Sequence, residues 1–388
     1  MEKRTTAHRL IIAGFPAFAY MFTVGAVGFW LPLYLQSRAG YSYDMLQAIA
    51  TAYFAALSVG SLIAGMLSDK LGRPGLVGFT GMAGNAIVIV LMYKYTGYHE
   101  MILLRIIQGL SLSTAIPVAL GSLSKLLGKS LGVGFTSLFM ASGMALGSLI
   151  AGMLVGIVGY APLFYLSAGV SLIASILSFE LEIPGAGREK PRILAGLRKA
   201  TRRVHGVVLG IFLRQLFATG VYAILTPIFH SILRLTILET GVILAVNPSV
   251  QGLSSIPLSR RVSRRPGIIY SAGIAVTGLV FASILLAYTL RGYGRIATLC
   301  LAVASMILQG LAYAQVNIAG NYIIIHDLPE EIRYTASSVF NLFFNLGWVF
   351  GTGFAGLYMR HHDPLGWVEI ASLAEIIISI IIYIIVRD

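Results

Sequence analysis

The chain has 388 residues, of which 57% are hydrophobic and only 11% charged. A soluble domain carries roughly a quarter charged residues, so this composition excludes an ordinary soluble fold and, more firmly, disorder. The net charge is +13, and Cys300 is the one cysteine, which leaves no internal disulfide or cysteine metal cluster.

A transmembrane helix takes about 20 apolar residues. Lys3, Arg4 and Arg9 precede a first apolar run that reaches about Leu35, longer than a signal-peptide core, so it is expected to be a span and not a cleaved leader. Apolar stretches at 9–36, 43–68, 75–96, 99–126, 130–158 and 160–182 predict spans 1 to 6. Those at 205–233, 238–259, 267–290, 294–325, 332–359 and 365–386 predict spans 7 to 12. The runs are long and do not alternate, which selects helices over a barrel.

With both ends placed inside, 20 Lys and Arg residues fall on inner segments and six on outer loops. Only Arg105 and Arg214 remain, and both fall within spans. This bias predicts an even number of spans in the cell membrane with both termini cytoplasmic. The basic excess is then topological, with lipid headgroups as its counter-charge and no role in nucleic-acid binding.

The segment from Pro184 to Val204 carries Pro184, Gly185, Gly187 and Pro191 and then a run of basic residues. It reads as a cytoplasmic linker, whose latter part is either an amphipathic surface helix or plainly solvated. The expected organisation is a six-helix bundle over 1–183, a linker over 184–204 and a second six-helix bundle over 205–388.

The halves repeat weakly. Leu67-Ser68-Asp69-Lys70-Leu71-Gly72-Arg73 after span 2 corresponds to Leu258-Ser259-Arg260-Arg261-Val262-Ser263-Arg264 after span 8. Gln108-Gly109-Leu110 in span 4 corresponds to Gln309-Gly310-Leu311 in span 10, and Gly143 and Gly147 in span 5 to Gly347 and Gly351 in span 11. Three matches in one order, at similar offsets, point to duplicated halves, a transporter architecture with its site near the membrane midplane.

The stretch from Gly65 to Pro74 resembles the signature loop between helices 2 and 3 of the major facilitator superfamily. Its fold is an all-α membrane protein of 12 transmembrane helices in two pseudo-symmetric six-helix bundles. In this resemblance Gly65, Asp69, Lys70, Gly72 and Arg73 form a cytoplasmic gate. The second copy departs from it, with Arg260 standing where the first has Asp69. Arg105-Ile106-Ile107-Gln108-Gly109 is similar to the family motif whose arginine faces the central cavity. The plainer reading of Arg105 is an outer-end arginine that snorkels to the interface. Gly143, Gly147 and Gly152 in span 5 resemble the antiporter motif of drug/proton exporters, although Ser148 stands where that motif has proline.

Arg214 lies near the middle of span 7, too deep to snorkel, and intramembrane charges are functional candidates by default. Gln215, Thr219 and Tyr222 lie close by on the same helix. Span 10 carries Gln309, Tyr313, Asn317 and Asn321, four apart. The resemblance implies that helices 1, 4, 7 and 10 line the pathway, which nominates Arg105, Gln108, Arg214, Gln215, Gln309, Tyr313 and Asn317. Interhelical hydrogen bonding is the plainer reading of the amides. Asn247, Gln251, Ser255, Asn341, Asn345 and Trp348 form a second line. Ala52, Ala56, Gly60, Ala64 and Ser68 make a small-residue face on span 2, for sliding or for static packing.

Glu375 in span 12 is the only acid near a span centre and the candidate proton carrier. Helix 12 is usually peripheral in this fold, so a neutral Glu375 bonded to a neighbouring helix is the alternative. His361 and His362 read as a solvated loop pair. No Walker-type loop and no paired-acid motif of membrane transferases is present, so no enzyme and no cofactor is expected.

Two functions compete. One is a secondary transporter, driven by protons, that exports amphipathic compounds by alternating access. The other is an organic-anion carrier, for carboxylate or phosphate, with Arg105 and Arg214 as its clamp. Either takes a small organic solute, works in the lipid bilayer, and is complete as a monomer by family analogy.

Overall fold

The computed structural model describes residues 2–71, 73–127, 129–181, 201–327 and 333–387. Gly72 and residues 184–200 of the linker lie outside the described residues, as do the side chains of Gly65, Asp69, Lys70 and Asn341. All regular structure among the described residues is helical. Span 1 is α1 (Glu2–Thr23), a π turn (Val24–Gly28) and α2 (Phe29–Ala39). Then come α3 (Tyr43–Leu71), α4 (Pro74–Lys94), α5 (Tyr98–Leu112), α6 (Ala115–Leu127), α7 (Lys129–Val158) and α8 (Ala161–Phe179). After the linker follow α9 (Arg202–Tyr222), the single turn α10 (Leu225–Pro227), a second π turn (Ile228–Ile232) and α11 (Ile237–Arg261). The chain closes with α12 (Pro266–Leu290), α13 (Arg295–Asp327), α14 (Arg333–Met359) and α15 (Pro364–Val386).

Ten stretches among the described residues are long and apolar enough to cross a membrane. The expected spans 2 and 8 are α3 and α11, of 29 and 25 residues. At 1.5 Å per residue they are about 44 and 38 Å long, enough to span. The chain is therefore a multi-pass membrane protein.

The helix ends follow local chemistry. Proline opens α4 and α12 at a position whose N–H needs no intrahelical partner. Thr201 caps α9 through the Val204 amide, and Asp363 caps α15 through the Leu365 amide. Thr236 and Glu239 form a capping box at the start of α11: the Thr236 amide donates to the Glu239 carboxylate at 2.7 Å, and the Glu239 amide to the Thr236 hydroxyl at 3.3 Å. Gly40 ends α2 in the left-handed region, at φ 67°.

Span 4 is not the continuous helix expected. It breaks between α5 and α6 because Pro117 has no N–H for the Ser113 carbonyl. The Ser113 and Thr114 hydroxyls turn back onto the Leu110 and Ser111 carbonyls there.

The outer faces of the helices are apolar, and the polar side chains of the spans turn inward into a core that is itself largely apolar. On α15, Leu373, Ile377 and Ile380 are exposed while Ser372, Glu375 and Ser379 are buried. Lipid, with no hydrogen bonds to offer, accepts the first set and rejects the second.

The chain divides into two compact units. Unit 1 comprises Met1–Tyr41, Ala52–Glu189 and Thr236–Ala245; unit 2 comprises Ser42–Thr51, Lys190–Leu235 and Val246–Asp388. In unit 1, α1 packs on α7 and α4 on α8. In unit 2, α12 packs on α13 and α15, and α9 on α14 and α15. The first turns of α3 belong to unit 2, where the wholly buried Gln47 donates to the Gly220 carbonyl at 2.5 Å and Thr51 meets Thr352 at 2.8 Å. The first turns of α11 belong to unit 1, where a Cβ on Gly152 would fall 2.6 Å from the Gly241 Cα.

The repeated glycines have one job in each unit. Gly109 on α5 sits against the Tyr53 carbonyl of α3, and Gly310 on α13 against the Asn247 carbonyl of α11; an added Cβ would lie at 2.5 and 2.6 Å. Gly143 and Gly147 on α7 meet the Phe18 and Phe22 carbonyls of α1. Gly347 and Gly351 on α14 meet the Phe212 and Leu216 carbonyls of α9. Small residues at these crossings let backbones touch, which is how helices associate where the surroundings are as apolar as leucine. The small face of α3 packs the same way: Ala56 lies beside Gly109, and Gly60 beside Leu110 and Ser113.

Candidate functional site

Among the described residues, each unit holds one buried arginine of the membrane-spanning region. In unit 1 this is Arg105, two turns into α5, only 6% exposed. It does not snorkel. Its guanidinium lies 3.9 Å from the centroid of the Tyr53 ring, and its Nη1 donates to Gln108 Oε1 at 2.5 Å, one turn along the same helix. The Nε has no partner. Gly109 is what lets α5 approach α3 closely enough for the ring to reach the charge.

In unit 2, Arg214 is wholly buried in the middle of α9. Its Nε donates to Thr277 Oγ1 of α12 at 3.0 Å, and its Nη1 to Gln215 Oε1 at 2.9 Å. Thr277 in turn donates to the Gly273 carbonyl, which fixes its oxygen as an acceptor for the arginine. The Tyr313 ring of α13 lies 4.5 Å from the guanidinium carbon. Nη2 is left without a well-formed hydrogen bond.

Around Arg214 stands an aromatic wall. Tyr222 lies 5.7 Å from Phe281, 6.2 Å from Trp348 and 6.3 Å from Tyr313, centroid to centroid. The Tyr222 hydroxyl donates to Gln309 Oε1 at 2.7 Å and so orients that amide, whose Nε2 has no partner. Gln215 Nε2 is likewise unpartnered. A fully buried guanidinium, two amides with bare donors and four rings form a site that offers donors and no anion, apart from Glu375.

Glu375 on α15 is also wholly buried, and neither carboxyl oxygen has a hydrogen-bond partner. That corrects the expectation of a carboxyl bonded to a neighbouring helix. The buried face of α15 turns it toward α9 and α12, where Arg214 is the charged group in reach. Asn317, lower on α13, is half-buried; its carbonyl accepts from the Asn321 amide at 2.8 Å.

Sequence reasoning nominated Arg105 and Gln108, which the structure brings together in unit 1. It nominated Arg214, Gln215, Gln309 and Tyr313, which cluster in unit 2. It missed Tyr53 and Thr277, because a single tyrosine or threonine in an apolar span carries no pattern of its own. Of the gate residues only the Arg73 side chain is described, exposed before α4. His361 and His362 are exposed, as expected of a solvated pair. Among the described residues no three His, Cys, Asp or Glu side chains are grouped to hold a metal.

Residues 14–385 match the sequence profile of the Major Facilitator Superfamily. The chain belongs to that superfamily. It is a transporter, not an enzyme. A stretch of 99 residues is 32% identical to a cis,cis-muconate transport protein of Acinetobacter baylyi (strain ATCC 33305 / BD413 / ADP1), covering 26% of this chain and 23% of that relative. The chain thus matches under a quarter of that protein's length. Crystal structures of the nucleoside transporter NupG share the fold. A point mutant of NupG superimposes with a TM-score of 0.78 at 16% identity, over 97% of this chain and 98% of that one. Unmutated NupG gives 0.78 at 14% identity, over 98% of each. At such identities the likeness is one of fold.

Proposed function

We propose that this superfamily member carries small organic anions across the membrane, and that Arg214 is the group that meets their negative charge. The observation that carries this reading is the state of Arg214. Thr277 and Gln215 hold two edges of a fully buried guanidinium, and Nη2 stays free of a well-formed bond. A guanidinium fixed in this way is preorganised for a carboxylate or phosphate and loses little freedom on binding. The rings of Tyr222, Tyr313 and Trp348 suit an organic body attached to that anionic head. Arg105, held by Gln108 and Tyr53, is the second cation of the pathway, in unit 1. Gln215, Gln309 and Asn317 complete the lining. The partial relative is named for an organic carboxylate, which agrees in class.

Proton-driven export of amphipathic compounds is the weaker reading. Two buried arginines would repel a lipophilic cation, and the span 5 glycines that suggested export have packing contacts that account for them. The rest of the assignment follows the family: alternating access, a cytoplasmic gate at Gly65, Asp69, Lys70, Gly72 and Arg73, cytoplasmic termini, a place in the cell membrane and function as a monomer.

Thermal unfolding of the purified protein in detergent tests the reading, across a matched panel of organic anions (cis,cis-muconate and benzoate among them) and lipophilic cations. A ligand of the native state raises the midpoint in a concentration-dependent way. Stabilisation by anions, lost in Arg214→Ala, is expected. Stabilisation by cations alone would overturn the assignment.

A further inference from the structure

Arg214 accounts for one end of a solute and leaves Gln309 without a task. Gln309 is 1% exposed, yet only its oxygen is bonded: Oε1 accepts from the Tyr222 hydroxyl at 2.7 Å, and Nε2 has no partner. A buried donor left bare forfeits the hydrogen bond that water would give it, so interiors rarely keep one. As a tie between α9 and α13, the oxygen alone would serve. The equivalent glutamine of unit 1 is placed differently, since Gln108 Oε1 is taken by the charge of Arg105, one turn away on its own helix.

The tyrosine bond fixes which way the Gln309 amide faces. A donating hydroxyl must meet the oxygen, so the NH2 group is held on the other side of the amide. The Tyr222 ring is itself held, 5.7 Å from Phe281, 6.2 Å from Trp348 and 6.3 Å from Tyr313. The Tyr313 ring lies 4.5 Å from the guanidinium carbon of Arg214. A line of contacts therefore runs from Arg214 through Tyr313 and Tyr222 to Gln309, with a bare donor at each end and rings between. Gln309 and Tyr313 stand one turn apart on α13, which sets the two donor levels about 6 Å apart along the helix. The remaining bare amide, Gln215 Nε2, belongs to the Arg214 level, because Gln215 Oε1 takes Arg214 Nη1.

We propose that Gln309 is a specificity-determining residue whose Nε2 binds an oxygen at the far end of the solute from the carboxylate that meets Arg214. The class of solute is then a flat, two-headed organic acid. Its second head is an acceptor, a carboxylate, carbonyl or hydroxyl oxygen, and its body lies along the rings between the two donors. A one-headed acid of the same shape would bury Nε2 unpaired against an apolar group. A site built to hydrogen-bond a group discriminates strongly against the analogue that lacks it. This inference rests on the organic-anion reading and adds to it the second group that the solute carries.

The test uses the full-length protein in detergent and a matched pair of acids, trans,trans-muconate and sorbate. They share one conjugated chain and differ at one end, a carboxylate in the first and a methyl group in the second. Titration calorimetry gives both dissociation constants. The wild type should bind muconate at least about tenfold more tightly than sorbate, and Arg214→Ala should lose both. Tyr222→Phe combined with Gln309→Leu keeps the ring and removes the amide together with the hydroxyl that orients it. In that double variant the ratio of the two affinities should fall to about one. Gln309→Asn, which keeps an amide but draws it back by one methylene, should lower the ratio too and stands in if the double variant does not fold. A merely structural role for Gln309 would weaken both acids together and leave their ratio unmoved. A wild type that binds sorbate as tightly as muconate overturns the second head, and so does a muconate preference that survives these variants; the organic-anion reading then still stands. If the wild type binds neither acid, the organic-anion reading fails and the two-headed class with it.

Discussion

The Arg105 guanidinium rests 3.9 Å from the centre of the Tyr53 ring, and both side chains are buried. A cation over an aromatic face is worth about 2 kcal/mol or more once desolvated, against about 0.5–1 at an exposed site. Tyr53→Leu should therefore lower the thermal midpoint, while Tyr53→Phe, which keeps the ring, should stay close to wild type. Equal midpoints for the two variants would show that the ring lends Arg105 nothing beyond its volume.

The matched glycines of α5 and α13 give a second prediction. Gly109 and Gly310 press on backbone carbonyls of α3 and α11, which cannot swing aside as a side chain can. Overpacking a tight contact costs about 1–3 kcal/mol. Gly109→Val and Gly310→Val should each reduce stability and the yield of folded protein. Gly121→Ala, at a position open on all sides, should change neither. Wild-type melting of both valine variants would mean that these helix pairs have room to separate.

Much of this was legible in the sequence, and the reasons are physical. The run lengths placed the helices to within a few residues, because lipid leaves the backbone no other way to satisfy its hydrogen bonds. The Gln-Gly repeat was visible, and the structure gives its meaning: the glycine brings two backbones together, and the amide before it serves a neighbouring polar side chain, Arg105 in one unit and Tyr222 in the other. The break at Ser113–Thr114 was signalled by Pro117, yet the apolar pattern runs through it unchanged. Thr277 and Tyr53 were not legible, since what singles them out is proximity across helices. The depth of Glu375 could be read from its place in the span; that neither of its oxygens is hydrogen-bonded could not.

Tyr222 and Gln309 make the next prediction. Their hydrogen bond at 2.7 Å is buried and joins α9 to α13. Tyr222→Phe removes the donor and strands the Gln309 oxygen, a loss of about 1–3 kcal/mol. Gln309→Leu in the same background should recover part of that stability, since both polar partners are then gone. A double-mutant cycle of thermal or denaturant unfolding measures the coupling, and strict additivity would show that the bond does not stabilise the fold.

The sharpest prediction concerns Arg214→Lys, which keeps the charge and removes the fork. Thr277 Oγ1 and Gln215 Oε1 engage two different nitrogens of one planar group, at 3.0 and 2.9 Å. An ammonium is a single point with three rotatable donors; once it reaches toward those two oxygens it cannot also present a fixed donor where Nη2 stands. A hydrogen bond to a charged group contributes about 1.5–3 kcal/mol, and about 1.4 kcal/mol is a factor of ten in affinity. Organic-anion affinity should therefore fall at least about tenfold in Arg214→Lys, and Thr277→Val, which frees only the Nε edge, should weaken binding less. The dissociation constants come from the concentration dependence of the thermal midpoint in each variant. Full binding in the lysine variant would mean that charge alone suffices, and that the held geometry of Arg214 is not what selects the anion.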